Sequence, residues 1–539
     1  MMPINRIPDE LLSKVFTDVV KTAKKSRSNT LVALTHICRR WRQILLNAHS
    51  LWAQVHENVK DIDRSLVFLE RAQKASLHIY LSEKPERGQN VDLDLVERWG
   101  ILLNDNAHRI ATLDVSMPYK TMERFMTTLI KPFPNVEAVR LDFIPEDQDE
   151  RKEVIPLPFP PSLLRPNFDP THLSVKCIIH PFLGLQPTII PSRLTRLEIS
   201  DQYGPGITPP GIDQFLDLLA QFSRLTFLRI ARAGPIFGPD DASRLSRAAR
   251  KVRFPVLEEL HLDTNPWQVG LYLVSFILPK CKIYNIIATG EMDDEEDNNS
   301  FEFSDLFPAD DVCCRHILNT TDKIQVKYRD GEDEDWQAYD CSYETIVTAQ
   351  SPDGGDLTFH LRYEKHDEIS DVIASTQLVM KELCKVFPSG SLRSLDLSAD
   401  FWQWEDGLNS LLQYYNNLED LLLDQYSGIT EESSLIVTLF KILTKKKTAL
   451  PMLEKLTLSR FWMDEDFGKV LVGWLNMRRK GKAKKLQKLR IVKPEWTGDD
   501  DELCWRSKVE KLVETFEAEE DDAEEDEDDG DDNGESGEE

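Results

Sequence analysis

The sequence predicts an α/β fold in three parts: three helices at the N-terminus, an irregular solenoid of strand–helix repeats, and a disordered acidic tail. Three observations carry that reading. Apolar residues recur at i, i+3 and i+5 in copies spread along most of the chain, usually after a helical stretch. Residues 4–52 place apolar side chains at helical spacing in short runs. Residues 517–539 hold 16 Asp and Glu among 23 positions, with no Lys or Arg.

The helices come first. Pro8 suits the first turn of a helix, where its missing N–H costs nothing. Asp9 and Glu10 behind it sit well against the helix dipole. Leu11, Leu12, Val15, Phe16 and Val19 then recur at helical spacing. A second helix is predicted over Thr30–His36 and a third over Cys38–Leu46, with Trp41 and Leu45 four apart on one face. Three short helices cannot bury this much apolar surface among themselves, and an excess of that kind points to a partner.

A helix over Ser65–Ala72 leads into a strand over Ser76–Leu81, and the repeated motif follows. Its clearest copies run Leu194–Ile199, Leu225–Ile230, Leu257–Leu262, Leu392–Leu397, Leu418–Leu423, Leu453–Leu458 and Leu486–Ile491, with weaker ones at Ile110–Val115 and Val136–Leu141. Successive copies start 26 to 35 residues apart. Amphipathic helices lie between them, with faces made by Ile212, Phe215, Leu216, Leu219 and Phe222, by Leu408, Leu411, Leu412 and Tyr415, and by Phe467, Val470, Leu471 and Trp474. Each repeat buries its leucines against its neighbours, so the core runs along the array.

The pattern weakens between Ile283 and Ser391. Glu291–Asp297 is acidic, Ile324, Val326 and Tyr328 alternate like a strand, and Thr345–Ala349 with Leu357–Tyr363 reads as a hairpin around Ser351–Asp356. Near the end, Val509, Leu512, Val513 and Phe516 predict a short capping helix. The expected organisation is residues 1–56, a helical domain; 57–290, the first part of the array; 291–366, an acidic loop and strand-rich insertion; 367–516, the last part with its terminal helix; and 517–539, the disordered tail.

Composition excludes several functions. A net charge of −28 disfavours direct nucleic-acid binding, which needs a basic footprint, and equally an anionic membrane surface. The apolar run Val269–Leu278 is too short to span a bilayer. Met1-Met2-Pro3 leads into a charged helix rather than a signal peptide, so a cytoplasmic or nuclear chain is expected, not a secreted one. The eight cysteines are scattered without a Cys-x-x-Cys pair, and Cys313-Cys314 with His316 reads as coincidence, so no metal or other cofactor is expected. No phosphate loop, Gly-x-Ser-x-Gly or His-Glu-x-x-His is present, and no catalytic residue is assigned. The basic run Arg478–Lys485 is either a nuclear import signal or a solvated loop able to pair with the tail.

The N-terminal pattern Ile7-Pro8-Asp9-Glu10-Leu11-Leu12, then Ile37-Cys38-Arg39-Arg40-Trp41-Arg42, then Leu51-Trp52 resembles an F-box, in the variant abundant in fungal F-box-like proteins. Ile7 in place of the usual Leu and a long basic spacer over Lys21–Asn29 are its departures. The repeats behind it resemble an irregular leucine-rich-repeat horseshoe, although only the copy at Leu257 carries the usual asparagine, Asn265. The resemblance implies docking on the Skp adaptor subunit of a cullin–RING ubiquitin ligase through Ile7, Pro8, Leu11, Leu12, Ile37 and Trp41. It implies a substrate-recruiting adaptor that binds an unknown protein target. A scaffold of the same fold without ligase assembly is the alternative, and a chaperone for basic proteins a third.

On each repeat strand the residues between the leucines face the open side. Those rows include Arg196, Glu198, Arg229, Glu259, His261, Asp263, Asp396, Asp420, Asp424, Lys455, Lys488 and Arg490, acidic in the middle and basic at the end. Aromatic residues recur five to seven positions beyond the central leucine. Tyr203, Trp267, Trp402, Tyr426, Trp462 and Trp496 are the candidate target contacts, since Trp and Tyr are common hot spots; with Phe401 and Phe461, they can equally be covers over the ends of the core.

Overall fold

The computed structural model describes residues 7–23, 27–83, 92–144, 171–176, 194–200, 211–234, 250–291, 303–307, 312–330, 341–364, 379–399, 405–425, 434–445, 450–463, 465–481, 483–492, 495–496 and 502–519. They fall into two compact units. The first comprises residues 1–317, 333–344 and 353–365, and the second residues 318–332, 345–352 and 366–539.

The first unit opens with α1 (Asp9–Thr22), α2 (Arg27–Thr35), α3 (Arg39–Asn47) and the short α4 (His49–Trp52). Strands β1 (Gln54–Asn58), β2 (Leu77–Ser82), β3 (Ile110–Pro118), β4 (Ala138–Ile144), β5 (His172–Lys176), β6 (Arg196–Ser200) and β7 (Phe227–Ala231) follow. Each pairs in parallel with the next. Glu259–Thr264, Ile283–Glu291 and Asp356–Glu364 extend the same sheet, again in parallel. In the second unit, Lys323–Asp330, Ser394–Ala399, Asp420–Gln425, Lys455–Ser459, Lys488–Val492 and Thr515–Glu519 form a second parallel series. The fold is therefore mixed α/β, with helices at the N-terminus and parallel strands behind, and the described pairings close no barrel.

The leucines set the register. In the second unit Leu395, Leu421, Leu456 and Leu489 are cross-strand partners, and so are Leu397, Leu423, Leu458 and Ile491. All eight are buried. A slip by one residue would turn a whole strand's leucines to the open face, and each buried Leu is worth about 1.5–3 kcal/mol. The first leucine of each copy, such as Leu225, Leu392 or Leu453, precedes its strand and is buried as well.

In the first unit, helices alternate with the strands. α5 (Ile62–Ala72), α6 (Leu93–Asp105) and α7 (Tyr119–Thr128) follow β1, β2 and β3 in turn. Trp99 of α6 is fully buried, and its indole donates to the Val59 carbonyl at 2.8 Å. Asn265 does not form a ladder with other asparagines: its side chain accepts from Gln268 N at 2.9 Å and caps the helix Pro266–Ser275. Gly234 has φ +104°, and a Cβ there would lie 2.1 Å from the Tyr272 hydroxyl, so this turn admits only glycine.

Several expectations are corrected. The predicted terminal helix is instead a helix over Glu502–Glu510, a turn, and a strand over Thr515–Glu519. Phe516 lies on that strand, opposite Leu489. Glu517 and Glu519, assigned to the tail, belong to this strand too, where Lys488 and Arg490 meet their charge at 2.7 and 2.6 Å. The rest of the tail, 520–539, lies outside the described residues. Asp356–Glu364 is a strand as expected, with Arg362 donating to Glu344 of Cys341–Gln350 at 3.0 Å as in a hairpin; it also pairs in parallel with Ile283–Glu291 and so joins the main series. The boundary expected at residue 56 falls inside β1. His172–Lys176 is a strand that the leucine motif did not mark. No described helix is long and apolar enough to cross a membrane.

Candidate functional site

α1 carries two apolar stripes. Leu12, Phe16 and Val20, four apart, are buried against the other helices. Leu11, Val15 and Val19 form a second stripe, one position back, and are 51, 50 and 40% exposed. The apolar arc of α1 is thus wider than its neighbours can cover. Ile37, in the turn between α2 and α3, is 59% exposed.

The framework under this face is fixed by polar contacts. Pro8 precedes α1, and its carbonyl accepts from Leu12 N at 3.0 Å. Arg40 of α3 donates to the Ile7 carbonyl at 2.6 Å and to Asp9 at 2.5 Å, which clamps the start of α1 to α3. Arg42 donates to the Thr35 carbonyl at 3.0 Å and holds the end of α2. Cys38 caps α3 by accepting from Trp41 N at 3.4 Å. The Trp41 ring lies 4.7 Å from that of Phe16.

Among the expected docking residues, Pro8, Leu11 and Ile37 are exposed, and Ile7 and Trp41 are half-buried. Leu12 is corrected: at 1% exposed it is part of the helical core and presents nothing to a partner. Val15 and Val19, not among the expected docking residues, stand exposed on the same face as Leu11. Their signal was their spacing from Leu11, since i, i+4 and i+8 share a face.

Of the candidate target contacts, Trp267, Trp462 and Trp496 lie among the described residues. Tyr203, Trp402 and Tyr426 lie outside the described residues. Trp267 is half-buried in the first turn of Pro266–Ser275, in the first unit. In the second unit, Trp462–Met463 pairs in parallel with Glu495–Trp496, which places the backbones of Trp462 and Trp496 on neighbouring short strands. Phe461 is buried, as a cover of the core would be.

The outward rows are largely satisfied by lateral pairing. In the first unit, Glu198 meets His172 at 3.4 Å and Arg196 at 2.8 Å, and these partners outweigh its burial and hold its carboxyl at about 2. Arg196 also lies 3.4 Å over the Phe227 ring, whose other neighbour is His261 at 4.8 Å. In the second unit, burial raises the Asp424 pKa, but bonds from Arg460 at 2.8 and 2.6 Å and from Ser398 at 2.9 Å prevail and lower it. Burial pushes Asp396 and Asp420 up. Glu198 and Asp424 are thus taken up by lateral pairs, whereas Asp263 keeps a buried oxygen without a described partner. Among the described residues, no three His, Cys, Asp or Glu side chains converge to hold a metal.

No curated protein matches the chain. The F-box-like family matches residues 4–58, about a tenth of the chain, and those residues form an F-box-like domain.

Proposed function

We propose that the chain is a substrate-recruiting adaptor: the F-box-like domain holds the Skp subunit of a cullin–RING ubiquitin ligase, and leucine-rich repeats arranged as a solenoid hold the protein to be modified. The observation that carries this is the exposed stripe Leu11, Val15 and Val19 with Ile37 on a domain whose own core is already filled. F-box domains in general bind the Skp adaptor, and exposed apolar side chains around a rigid helical frame suit a hydrophobic docking surface. The repeats support the second half of the reading, because parallel strands with inward leucines leave a long open face for a partner. The chemistry of ubiquitin transfer belongs to the partner enzymes. The chain's own task is to bring two surfaces together, which raises the effective concentration of the target.

Calorimetry with purified Skp adaptor tests this. The wild-type chain should bind, and a Leu11→Ser, Val15→Ser, Ile37→Ser variant should lose at least about a hundredfold in affinity, since each anchor contributes roughly 1–2 kcal/mol. All three side chains are exposed, so the variant should fold as the wild type does. Absence of wild-type binding would replace this reading with a scaffold that assembles no ligase.

A further inference from the structure

A cleft of about 610 Å³ opens at the edge of the first unit's sheet, lined by Lys74, Ser76, His108, Arg109, Asn135 and Glu137 among others. Its position follows from the topology. Lys74 and Ser76 precede β2, His108 and Arg109 precede β3, and Asn135 and Glu137 precede β4. Parallel pairing of β2, β3 and β4 sets those three lead-in segments side by side. This edge lies at the strand starts.

Arg109 is held in place. Its Nη1 donates to Asn106 Oδ1 at 3.1 Å and its Nε to the Ala75 carbonyl at 3.4 Å. Its Nη2 is buried and donates to nothing among the described residues. A buried guanidinium N–H left without an acceptor is costly, and burial depresses the Arg109 pKa accordingly. No described side chain pairs with Lys74 or His108, both exposed. The Asn135 amide is fixed by donating to the His108 carbonyl at 2.6 Å. Glu137 is the carboxylate of this lining, exposed and paired with neither Lys74 nor Arg109. In a chain of net charge −28, two unpaired cations against one carboxylate reverse the average character of the surface.

We propose that this cleft binds a phosphoryl group, with the Lys74 ammonium and the His108 imidazole as its donors and the charge of the Arg109 guanidinium beside them. A tetrahedral dianion offers three acceptor oxygens and a charge that matches Lys74 and Arg109 together, whereas a carboxylate offers two oxygens and a single charge. Arg109 is already held by Asn106 and Ala75, so its charge is in place before the anion arrives. The proposal is independent of ligase assembly, and no adaptor subunit enters its test.

The full-length chain is titrated at low salt, in one arm with inorganic phosphate and in the other with a phosphoseryl peptide and its unphosphorylated twin, by calorimetry and phosphorus NMR. Saturable binding is expected. Tighter binding of the phosphopeptide assigns the group to a protein ligand, and equal binding assigns it to a small phosphate compound. Lys74→Gln should weaken either about tenfold, as loss of one charge-assisted hydrogen bond does, and Glu137→Gln should strengthen it. Both positions are exposed, so both variants should fold. No saturable binding in either arm, binding indifferent to both substitutions, or acetate binding as tightly as phosphate would overturn the proposal.

Discussion

Arg478 shows what a charge run conceals. Six of the eight residues in Arg478–Lys485 are basic, yet Arg478 is buried and donates to the carbonyls of Leu450, Leu453 and Lys484 at 2.7, 2.7 and 2.8 Å. Burial lowers its pKa to about 10. It is a strut under the turn before Lys455–Ser459, not part of an exposed import signal. Arg478→Met should cost on the order of 3 kcal/mol, because buried carbonyls lose their donor. Arg478→Lys should not rescue it, since a point ammonium cannot reproduce the fork. The shift in urea midpoint measures both. His56 offers a pH test. It stacks on Tyr80 with centroids 3.9 Å apart, and Arg27 reaches its Nε2 at 3.2 Å. Burial first, then Arg27 and His78, bring its pKa down to about 4. The unfolded chain binds a proton near 6.5 that the folded chain refuses until about 4, so this residue makes stability fall as pH drops through that window. His56→Gln should flatten the decline between pH 6.5 and 4. An unchanged slope in chemical denaturation would show that His56 is protonated in the fold.

At the scale of elements, the leucine motif was a reliable guide because its residues have one place to go. All nine copies contain or lead into a strand, and their leucines are buried. What failed had the wrong periodicity for its place. Val509, Leu512, Val513 and Phe516 stand at helical spacing, but the helix ends at Glu510 and the next pairing opportunity is the edge of Lys488–Val492. Cross-strand charge, invisible in a single segment, decides there: Glu517 faces Lys488 and Glu519 faces Arg490. On α1 the sequence showed a helix and its apolar arc, but not which stripe the neighbouring helices would take: Leu12 is buried, and Val15 and Val19 are exposed beside Leu11. Two truncations separate strand from tail. Ending the chain at Glu519 should leave the melting temperature nearly unchanged, because 520–539 has almost no apolar surface to bury. Ending it at Glu514 should lower it by several degrees, since Lys488 and Arg490 lose their partners and the sheet loses a strand. Equal melting of the two would mean that Thr515–Glu519 contributes nothing to the fold.

At the scale of the whole molecule, the F-box-like domain is bounded by sequence similarity but not by physics. The Trp52 indole donates to the Leu45 carbonyl at 2.7 Å, within the domain, while its ring packs 4.9 Å from Phe68 and under Arg71 at 4.4 Å, both on α5. β1 draws its hydrogen bonds from β2, and the Ser28 hydroxyl of α2 donates to the His56 carbonyl on β1 at 3.2 Å. Cutting after Asn58 would strip the partners from Leu51, Trp52 and Val55, all buried in the intact chain. Each such side chain is worth about 1.5–3 kcal/mol, against a total stability of roughly 5–15 kcal/mol for a domain. A fragment of residues 1–58 should therefore melt without a cooperative transition and bind the Skp adaptor weakly, its exposed stripe intact in sequence but unsupported. A fragment of residues 1–144 keeps β2, β3 and β4 with the helices between them. It should melt cooperatively and bind with the affinity of the full chain. Circular dichroism melts and calorimetry on both fragments decide the matter. Cooperative melting and full affinity in residues 1–58 would show that the helices stand alone, and that the strands behind them serve only the other half of the chain's work.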